Sequence, residues 1–495
     1  MQNGTLLAAV DLGSNSYRLE IGRHDHGQIQ RVEYLKETVR QGAGLDEARN
    51  LTPAAMQAGL DCLARFAERL AGFPRRQVRA VATQTLREAR NRDEFLARAH
   101  RVLGFPIDVV SGGEEARLIY QGVAHLLPQS EERRLVVDIG GRSTELIVGR
   151  QYEARATSSF RVGSVSWSMR YFPHGEFTEA AFARAGVAAQ AVFEEAAGRY
   201  DREHWDLAYG SSGTIGAVGA LLEAAGRGPG ISRKDLQWLL EQLLAARTAS
   251  RVRLAALKDD RRPVIGGGLS VLLAVFDLLG IDSLQPAAGA LRHGVLYDLL
   301  DRDQASGDVR SATVQRMAAA FAVDAVQAQR VGDTAVLLLR QLRAGGGTSA
   351  EPERDERKLR WAAMLHEIGC RISHSDYHKH GAYILDNAEA PGFARHELHR
   401  LGLLVLGHRG KLRKLDTELG DALFVQQLLC LRLAVILCHA RRKPDLQGVS
   451  LHAAGPATFV LSLRPDWVRT FPQSAHLLRE EAVAWHKTAW SLQLA

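Results

Sequence analysis

Two apolar runs in the first 150 residues end in the same way. Residues 6–10 lead into Asp11-Leu12-Gly13-Ser14-Asn15-Ser16, and alternating apolar sequence resumes at Leu19 and Ile21. Residues 135–137 lead into Asp138-Ile139-Gly140-Gly141-Arg142-Ser143-Thr144-Glu145, and alternation resumes at Leu146 and Val148. A period of two on either side of a Gly/Ser turn predicts a β-hairpin in each case, with an acid where the first strand ends. The duplication predicts two related lobes. Between the copies, 52–71 carries Met56, Leu60, Leu63, Phe66 and Leu70 at helical spacing. A strand at 78–82, a helix at 85–100, a strand at 107–110 and a helix opening at Ser111-Gly112-Gly113-Glu114-Glu115 complete the first unit.

After a charged, proline-bearing spacer at 128–134 the plan recurs, with a helix at 177–200 and a strand at 206–209. That strand runs into Gly210-Ser211-Ser212-Gly213-Thr214-Ile215-Gly216 and a helix. A further glycine turn, 266–270, precedes helical sequence to Leu279. From 309 to about 442 apolar residues recur at three and four, interrupted by a low-complexity spacer at 344–357, and the block reads as helical. The last fifty residues hold a strand-like segment at 457–463.

The chain has 495 residues, 46% hydrophobic and 24% charged, which suits two to four globular domains. Its +7 formal charge favours an anionic partner. Aromatics are only 6% and are not interleaved with basic residues, so a base-stacking surface has little support. The four cysteines, Cys62, Cys370, Cys430 and Cys438, show no metal or redox spacing. No basic-then-apolar leader precedes the first strand, and stretches such as 269–279 are too short for a membrane span. A cytoplasmic protein is expected, with peripheral association at the inner face of the membrane left open.

Consecutive amides in a Gly-rich turn can cradle phosphate oxygens. A carboxylate in the same turn would repel phosphate unless a hard cation such as Mg²⁺ lies between them, so Asp11 and Asp138 are candidate magnesium ligands. Glu145 would reach the same turn if the hairpin folds back, and Arg18 stands at its place in the first copy. The turn 210–216 would set amides and hydroxyls at a helix N-terminus. There is no Walker-type lysine loop. Hydrolysis needs a group to orient water, for which Glu114 and Glu115 are both candidates, and Arg87 is a candidate to neutralise the transferring phosphoryl group. His366, His374, His378, His380 and His408, with Glu367 and Asp376, form a second cluster, read as helix-packing or anion-facing because no complete ligand set is legible.

Taken in order, 11–16, 111–120, 137–146, 210–214, 291–297 and 362–369 resemble the exopolyphosphatase and guanosine pentaphosphate phosphohydrolase family, within the acetate-kinase/sugar-kinase/heat-shock-70/actin superfamily. The resemblance implies an α/β protein. Two actin-like ribonuclease-H-fold lobes (1–126 and 127–304) would precede an all-helical HD-like domain (305–418) and a small α+β C-terminal domain (419–495). It implies Glu115 as catalytic base, Asp138 and Glu145 as metal- and water-handling acids, and Arg87 as a phosphate-binding arginine. Ser14, Asn15, Ser16, Arg18, Gly140, Gly141, Ser143, Thr144, Ser211, Ser212, Gly213 and Thr214 would then bind phosphate, with Asp11, Asp138 and Glu145 holding Mg²⁺ (Mn²⁺ and K⁺ as further candidates). Two departures stand out: Arg142 replaces a small residue, and His366-Glu367 replaces a His-Asp pair. The leading expectation is processive, metal-dependent exopolyphosphatase activity by a homodimer without obligate nucleic acid. The alternatives are guanosine pentaphosphate hydrolysis, a kinase of the same superfamily, and a non-catalytic polyphosphate- or nucleic-acid-binding protein.

Overall fold

The computed structural model describes residues 2–128, 130–228, 230–302, 308–344 and 351–495. The chain divides into two compact units, Met1–Asp308 and Val309–Ala495. The expected boundary at 304/305 lies outside the described residues, as do 345–350 of the expected spacer.

The first unit contains two sheets built on one plan. Lobe I uses β1 (Leu6–Leu12), β2 (Tyr17–Asp25), β3 (Gln28–Glu37), β4 (Val78–Ala82) and β5 (Ile107–Val109), in the order β3-β2-β1-β4-β5. Lobe II uses β6 (Arg133–Ile139), β7 (Thr144–Arg150), β8 (Glu153–Phe160), β9 (Leu207–Ser211), β10 (Ile231–Ser232) and β11 (Ser283–Pro286), in the order β10-β11-β9-β6-β7-β8. In each lobe the first three strands form an antiparallel meander, and the first strand also pairs in parallel with a later one. Register repeats as well: Asp11 opposes Arg18 and Asp138 opposes Glu145. Both second strands shift register ten residues past the acid, at Ile21/Gly22 and Val148/Gly149. The Asp11/Asp138 duplication seen in the sequence is thus a duplication of fold.

Local rules account for the helices. Pro53–Leu70 starts with Pro at its first turn and a Thr52 side chain accepting from Ala55 N, and buries Met56, Leu60, Leu63, Phe66 and Leu70. The helix expected at 85–100 is broken into Gln84–Glu88 and Arg92–Leu103. Gly266, Gly267 and Gly268, read as a turn, lie inside the helix Ile265–Leu279. Side chains there would press on Phe177, Ser168 and Thr214, so these glycines serve close packing rather than bending. The stretch Arg262–Leu279 is long and apolar enough to cross a membrane by length and composition, but 72% of it is buried inside the fold. It is the core helix of lobe II.

Two helices are exchanged between the halves. Gly112–His125, which follows lobe I, packs on β7 and β8, and Leu291–Arg302, which follows lobe II, packs on β1. They cross at glycines: a Cβ on Gly294 would overlap Leu118 O, and one on Gly122 would overlap Ala290 O. The exchange carries the start of Gly112–His125, with Glu115, to the acids of lobe II.

The second unit is mainly helical, with helices between Val309 and Leu437 followed by β12 (Val449–Gly455), β13 (Thr458–Leu463) and β14 (Ser491–Leu494). One hydrophobic core runs from Val314 to Leu492 and includes the helix Ala422–Leu437, so packing does not break at 418/419. Of its three strands, only β13 was visible in the sequence.

Gly294→Ala should separate the exchanged helices, because the obstructing atom is backbone and cannot swing away. A loss of about 2–3 kcal/mol in urea unfolding of the N-terminal unit is expected. Unchanged stability would show that the crossing is loose.

Candidate active site

Each hairpin turn is braced from behind through its carbonyls. Arg40 N and Gly42 N donate to Asn15 O and Ser14 O at 2.9 and 2.7 Å, while Ser164 N and Val165 N donate to Gly140 O and Gly141 O at 2.9 and 2.8 Å. Among the described residues, no protein group accepts from the amides of Ser14, Asn15 or Arg142. The two turns face each other, because a Cβ on Gly141 would lie 3.1 Å from Ser14 Cβ and 3.5 Å from Asn15 N. Opposed turns with unspent donors are an anion-binding arrangement.

Four carboxylates converge beside them. Asp11 and Asp138 are each last but one in β1 and β6, Glu145 is second on β7, and Glu115 sits in the first turn of Gly112–His125. All are at most 8% exposed. Arg18 Nη1 donates to Asp11 Oδ2 at 3.0 Å, and Arg87 Nη1 donates to Glu115 Oε2 at 2.6 Å. Among the described residues, Asp138 and Glu145 have only hydroxyl hydrogen-bond partners. Ser159 donates to Glu145 Oε1 at 2.7 Å, and Ser211 lies within hydrogen-bond reach of Asp138 while donating to Gly289 O at 2.9 Å.

Their proton affinities report this crowding. Burial pushes Asp138 up to about 7; a hydrogen bond from Ser211, for which Gly289 O competes, offsets only part of the rise, and the Glu115 charge adds to it. Burial raises Glu145 well above the carboxylate range, reinforced by the charges of Glu115 and Asp138. Glu115 and Asp11 are also raised by burial, against Arg87 in one case and Arg18 in the other. Such a set is a candidate for acid–base work or for holding a hard cation. Among the described residues no three His, Cys, Asp or Glu side chains are grouped closely enough to hold a metal unaided. A cation here would draw on water and substrate oxygens as well, as Mg²⁺ commonly does.

The adjacent acids at 114 and 115 have separate tasks. Ser111 caps the helix by accepting from Glu114 N at 3.1 Å. The Glu114 side chain is wholly buried and takes a two-armed contact from Arg117, at 2.8 and 2.9 Å. Arg117 and Arg79 continue to Asp298 on the exchanged helix, which Arg302 also engages. Glu114 is therefore part of an internal ion network, whereas Glu115 faces the other acids.

Residues 20–303 match the model of the Ppx/GppA phosphatase family, and residues 309–482 match domain III of that family. The chain belongs to the Ppx/GppA phosphatase family. The family assignment makes it a hydrolase of phosphoanhydride bonds. It is 38% identical over 491 residues to a guanosine-5′-triphosphate,3′-diphosphate pyrophosphatase of Vibrio cholerae, covering 99% of this chain and 98% of that one. A protein of the same name from Aeromonas salmonicida is 37% identical over 498 residues, covering 100% of this chain and 99% of the other. Among solved structures, an exopolyphosphatase-like protein superposes with a TM-score of 0.55 at 27% identity, covering 60% of this chain and 98% of that one. The Aquifex aeolicus PPX-GPPA enzyme gives 0.51 at 25%, covering 59% and 99%.

Within this family frame, the remaining candidates sort by what their side chains touch. Thr144 is fully buried and spends its hydroxyl on Val162 O at 2.6 Å. Ser16 and Ser143 are also buried. Ser212 adopts φ of +88°, rare for a side-chain-bearing residue, and its Oγ accepts from Thr214 N at 3.1 Å at the start of Ser212–Ala224. Gly213 has a reason the sequence did not show: a side chain there would collide with the Arg261 guanidinium. Arg261 is 9% exposed, and its Nε approaches the neighbouring Asp260 Oδ2 no closer than 3.7 Å. Burial lowers its proton affinity, with Arg18 among the charges adding to that. A buried, weakly paired cation behind a Gly-Ser turn suits a polyanion. Nothing in the local pattern around Arg261 marked it, because the link to Gly213 is tertiary.

In the helical unit, His366 and His408 pack ring edge to face at 5.3 Å, and each Nδ1 bonds a backbone oxygen at 2.6 Å. Glu367 pairs with Arg441 at 2.6 Å. His374 lies near Tyr377, and His378 near both Tyr377 and His408.

Glu114→Gln and Glu115→Gln should separate stability from chemistry. The first should cost about 3 kcal/mol by leaving buried arginines undercompensated, and the second less than about 1 kcal/mol while abolishing turnover. Equal stability losses in urea titrations would contradict the division.

Proposed function

We infer that this protein hydrolyses the terminal 5′-phosphoanhydride of guanosine 5′-triphosphate 3′-diphosphate, releasing orthophosphate and leaving the tetraphosphate. The carrying observation is the pair of opposed phosphate turns edged by four buried acids, of which Glu115 is oriented by Arg87. Relatives named for that nucleotide match the chain from end to end, which favours it over the long-chain polyphosphate reading that led from sequence. The polyphosphate reading keeps one support, the structural likeness to an exopolyphosphatase-like protein.

In this reading the turns at Ser14–Ser16 and Gly140–Ser143, with Arg18 and Arg261, bind and orient the phosphate chain through amides and guanidinium groups. Glu115 receives the proton of the attacking water. Its raised proton affinity makes it a better base than an exposed carboxylate. Arg87 bridges Glu115 and Val110 O and stands ready to offset charge on the phosphoryl group as it passes to water. Asp11, Asp138 and Glu145 would hold Mg²⁺, which supplies charge neutralisation between carboxylates and phosphate. The donor chemistry fits: hard oxygens, buried, two of which (Asp138 and Glu145) form no ion pair among the described residues.

Phosphate release from the guanosine pentaphosphate and from long-chain polyphosphate, for wild type and Glu115→Gln, tests this reading. Preference for the nucleotide, lost at least about 1,000-fold in the variant, is expected. Preference for polyphosphate would move the substrate assignment, and an active Glu115→Gln would remove the base.

Metal binding has a stability signature. Asp138 keeps its proton in the fold up to about 7, against 3.8 for the ordinary group. Stability is therefore lost as pH rises through that window, by up to about 4 kcal/mol without a cation. Mg²⁺ favours the ionised form, so the Tm difference between Mg²⁺ and EDTA should widen from about pH 5 to about pH 8. A flat difference would contradict metal binding at these acids.

A further inference from the structure

Arg142 belongs to the lobe II turn, yet its side chain is spent on lobe I. Nε and Nη2 donate to Glu88 Oε2 at 3.1 and 2.7 Å, and Nη1 donates to Gly42 O at 2.8 Å. The contact is built for this guanidinium. A Cβ on Gly42 would stand 2.9 Å from Arg142 Cδ, and one on Gly163 would overlap the Arg142 amide. The pair is mostly buried, with side-chain exposures of 19% and 11%. With its donors turned to Glu88 and Gly42, the guanidinium is engaged away from any phosphate lying on the turn.

What Glu88 does next gives the contact its importance. Its other oxygen accepts from Gln84 Nε2 at 2.5 Å. Gln84 Oε1 in turn accepts from Arg87 Nε and Nη2, at 3.0 and 2.6 Å. Arg87 Nη1 then reaches Glu115 Oε2 at 2.6 Å. Four side chains thus run unbroken from the lobe II turn to the acid assigned as base. Gln84 is orientation-sensitive, since it must present its amide nitrogen to Glu88 in order to turn its oxygen toward Arg87. A carboxylate held at the Glu88 end selects that orientation.

We propose that Arg142 is a positioning residue, which fastens the two lobes at the mouth of the cleft and, through Glu88 and Gln84, holds Arg87 on Glu115. The proposal rests on the reading of Glu115 as base. Arg87 has many rotamers of its own, and fixing its fork before substrate arrives removes reorganisation from the reaction. Arg142 acts through other residues, so its removal should slow turnover without weakening substrate binding.

The test is steady-state phosphate release from the guanosine pentaphosphate by Arg142→Ala, Arg142→Lys, Arg87→Ala and the Arg142→Ala/Arg87→Ala double variant. Arg142→Ala should lower kcat about tenfold with KM within about twofold. Arg142→Lys should recover part of the loss, since an ammonium reaches Glu88 but cannot also hold Gly42 O in the same fork. In the Arg87→Ala background, Arg142→Ala should add nothing, because the path it serves is already cut. If Arg142→Ala does not fold, Glu88→Gln interrupts the same path at nearly constant volume and should give the same kcat loss. A raised KM with unchanged kcat would overturn the proposal and make Arg142 a substrate contact. Full multiplication of the two losses would overturn it too. Glu115→Gln is run alongside: if it stays active, the reading of the base fails and the proposal falls with it, whereas an inactive Glu115→Gln beside an unaffected Arg142→Ala overturns the proposal alone.

Discussion

Four carboxylates are buried together in this protein, and the surrounding fold supplies two arginines directly to them. That electrostatic imbalance is the constraint on which the rest of the N-terminal unit depends. Asp11 and Glu115 are each partnered by a guanidinium, while Asp138 and Glu145 are left with serine hydroxyls. Burying a charge with so little compensation is costly, and the acids respond by holding their protons. The architecture tolerates this because its strands and helices are firmly packed elsewhere. The exchanged helices lock at glycines, and a separate network of Asp108, Glu114 and Asp298 with Arg79, Arg117 and Arg302 balances its charges inside. Well-compensated charge stabilises the scaffold, and undercompensated charge is kept for the cleft.

The duplication explains how such a site arises twice over and then diverges. Both lobes place an acid where the first strand ends and turn the chain through small residues. The residue opposite that acid is Arg18 in one lobe and Glu145 in the other. One hairpin therefore brings a cation to its own aspartate, while the other adds a second anion. An asymmetric cleft results, suited to a phosphate chain that needs positive charge along its length and activated water at its end.

Much of this was legible in the sequence, for identifiable reasons. Hairpin turns, caps and amphipathic helices are local, so Asp11, Asp138, the Ser111-capped helix and the Pro53–Leu70 helix could be read from spacing alone. Glycine was harder. Gly266 to Gly268 looked like a turn because helical close packing and chain reversal call for the same residue. Gly213 was read as a phosphate-loop position, and its missing side chain has a second use that the sequence did not show, making room for Arg261. The Gly213–Arg261 contact, the Arg142–Glu88 contact and the Arg87–Glu115 pair depend on partners far along the chain. No periodicity encodes these, and the C-terminal strands β12 and β14 were missed for a related reason: their pairing is set by the core of the second unit.

On the proposed reading, a hard cation completes the crowded acids and charges them for catalysis. Isothermal titration of Mg²⁺ near pH 7, repeated in buffers of different ionisation enthalpy, counts the protons released on binding. With Asp138 titrating at about 7 and Glu145 well above the carboxylate range, release of about one proton per Mg²⁺ is expected, and it should disappear in Asp138→Asn/Glu145→Gln. Binding that releases no protons, or that persists unchanged in the double variant, would mean that these acids are not the ones the cation completes.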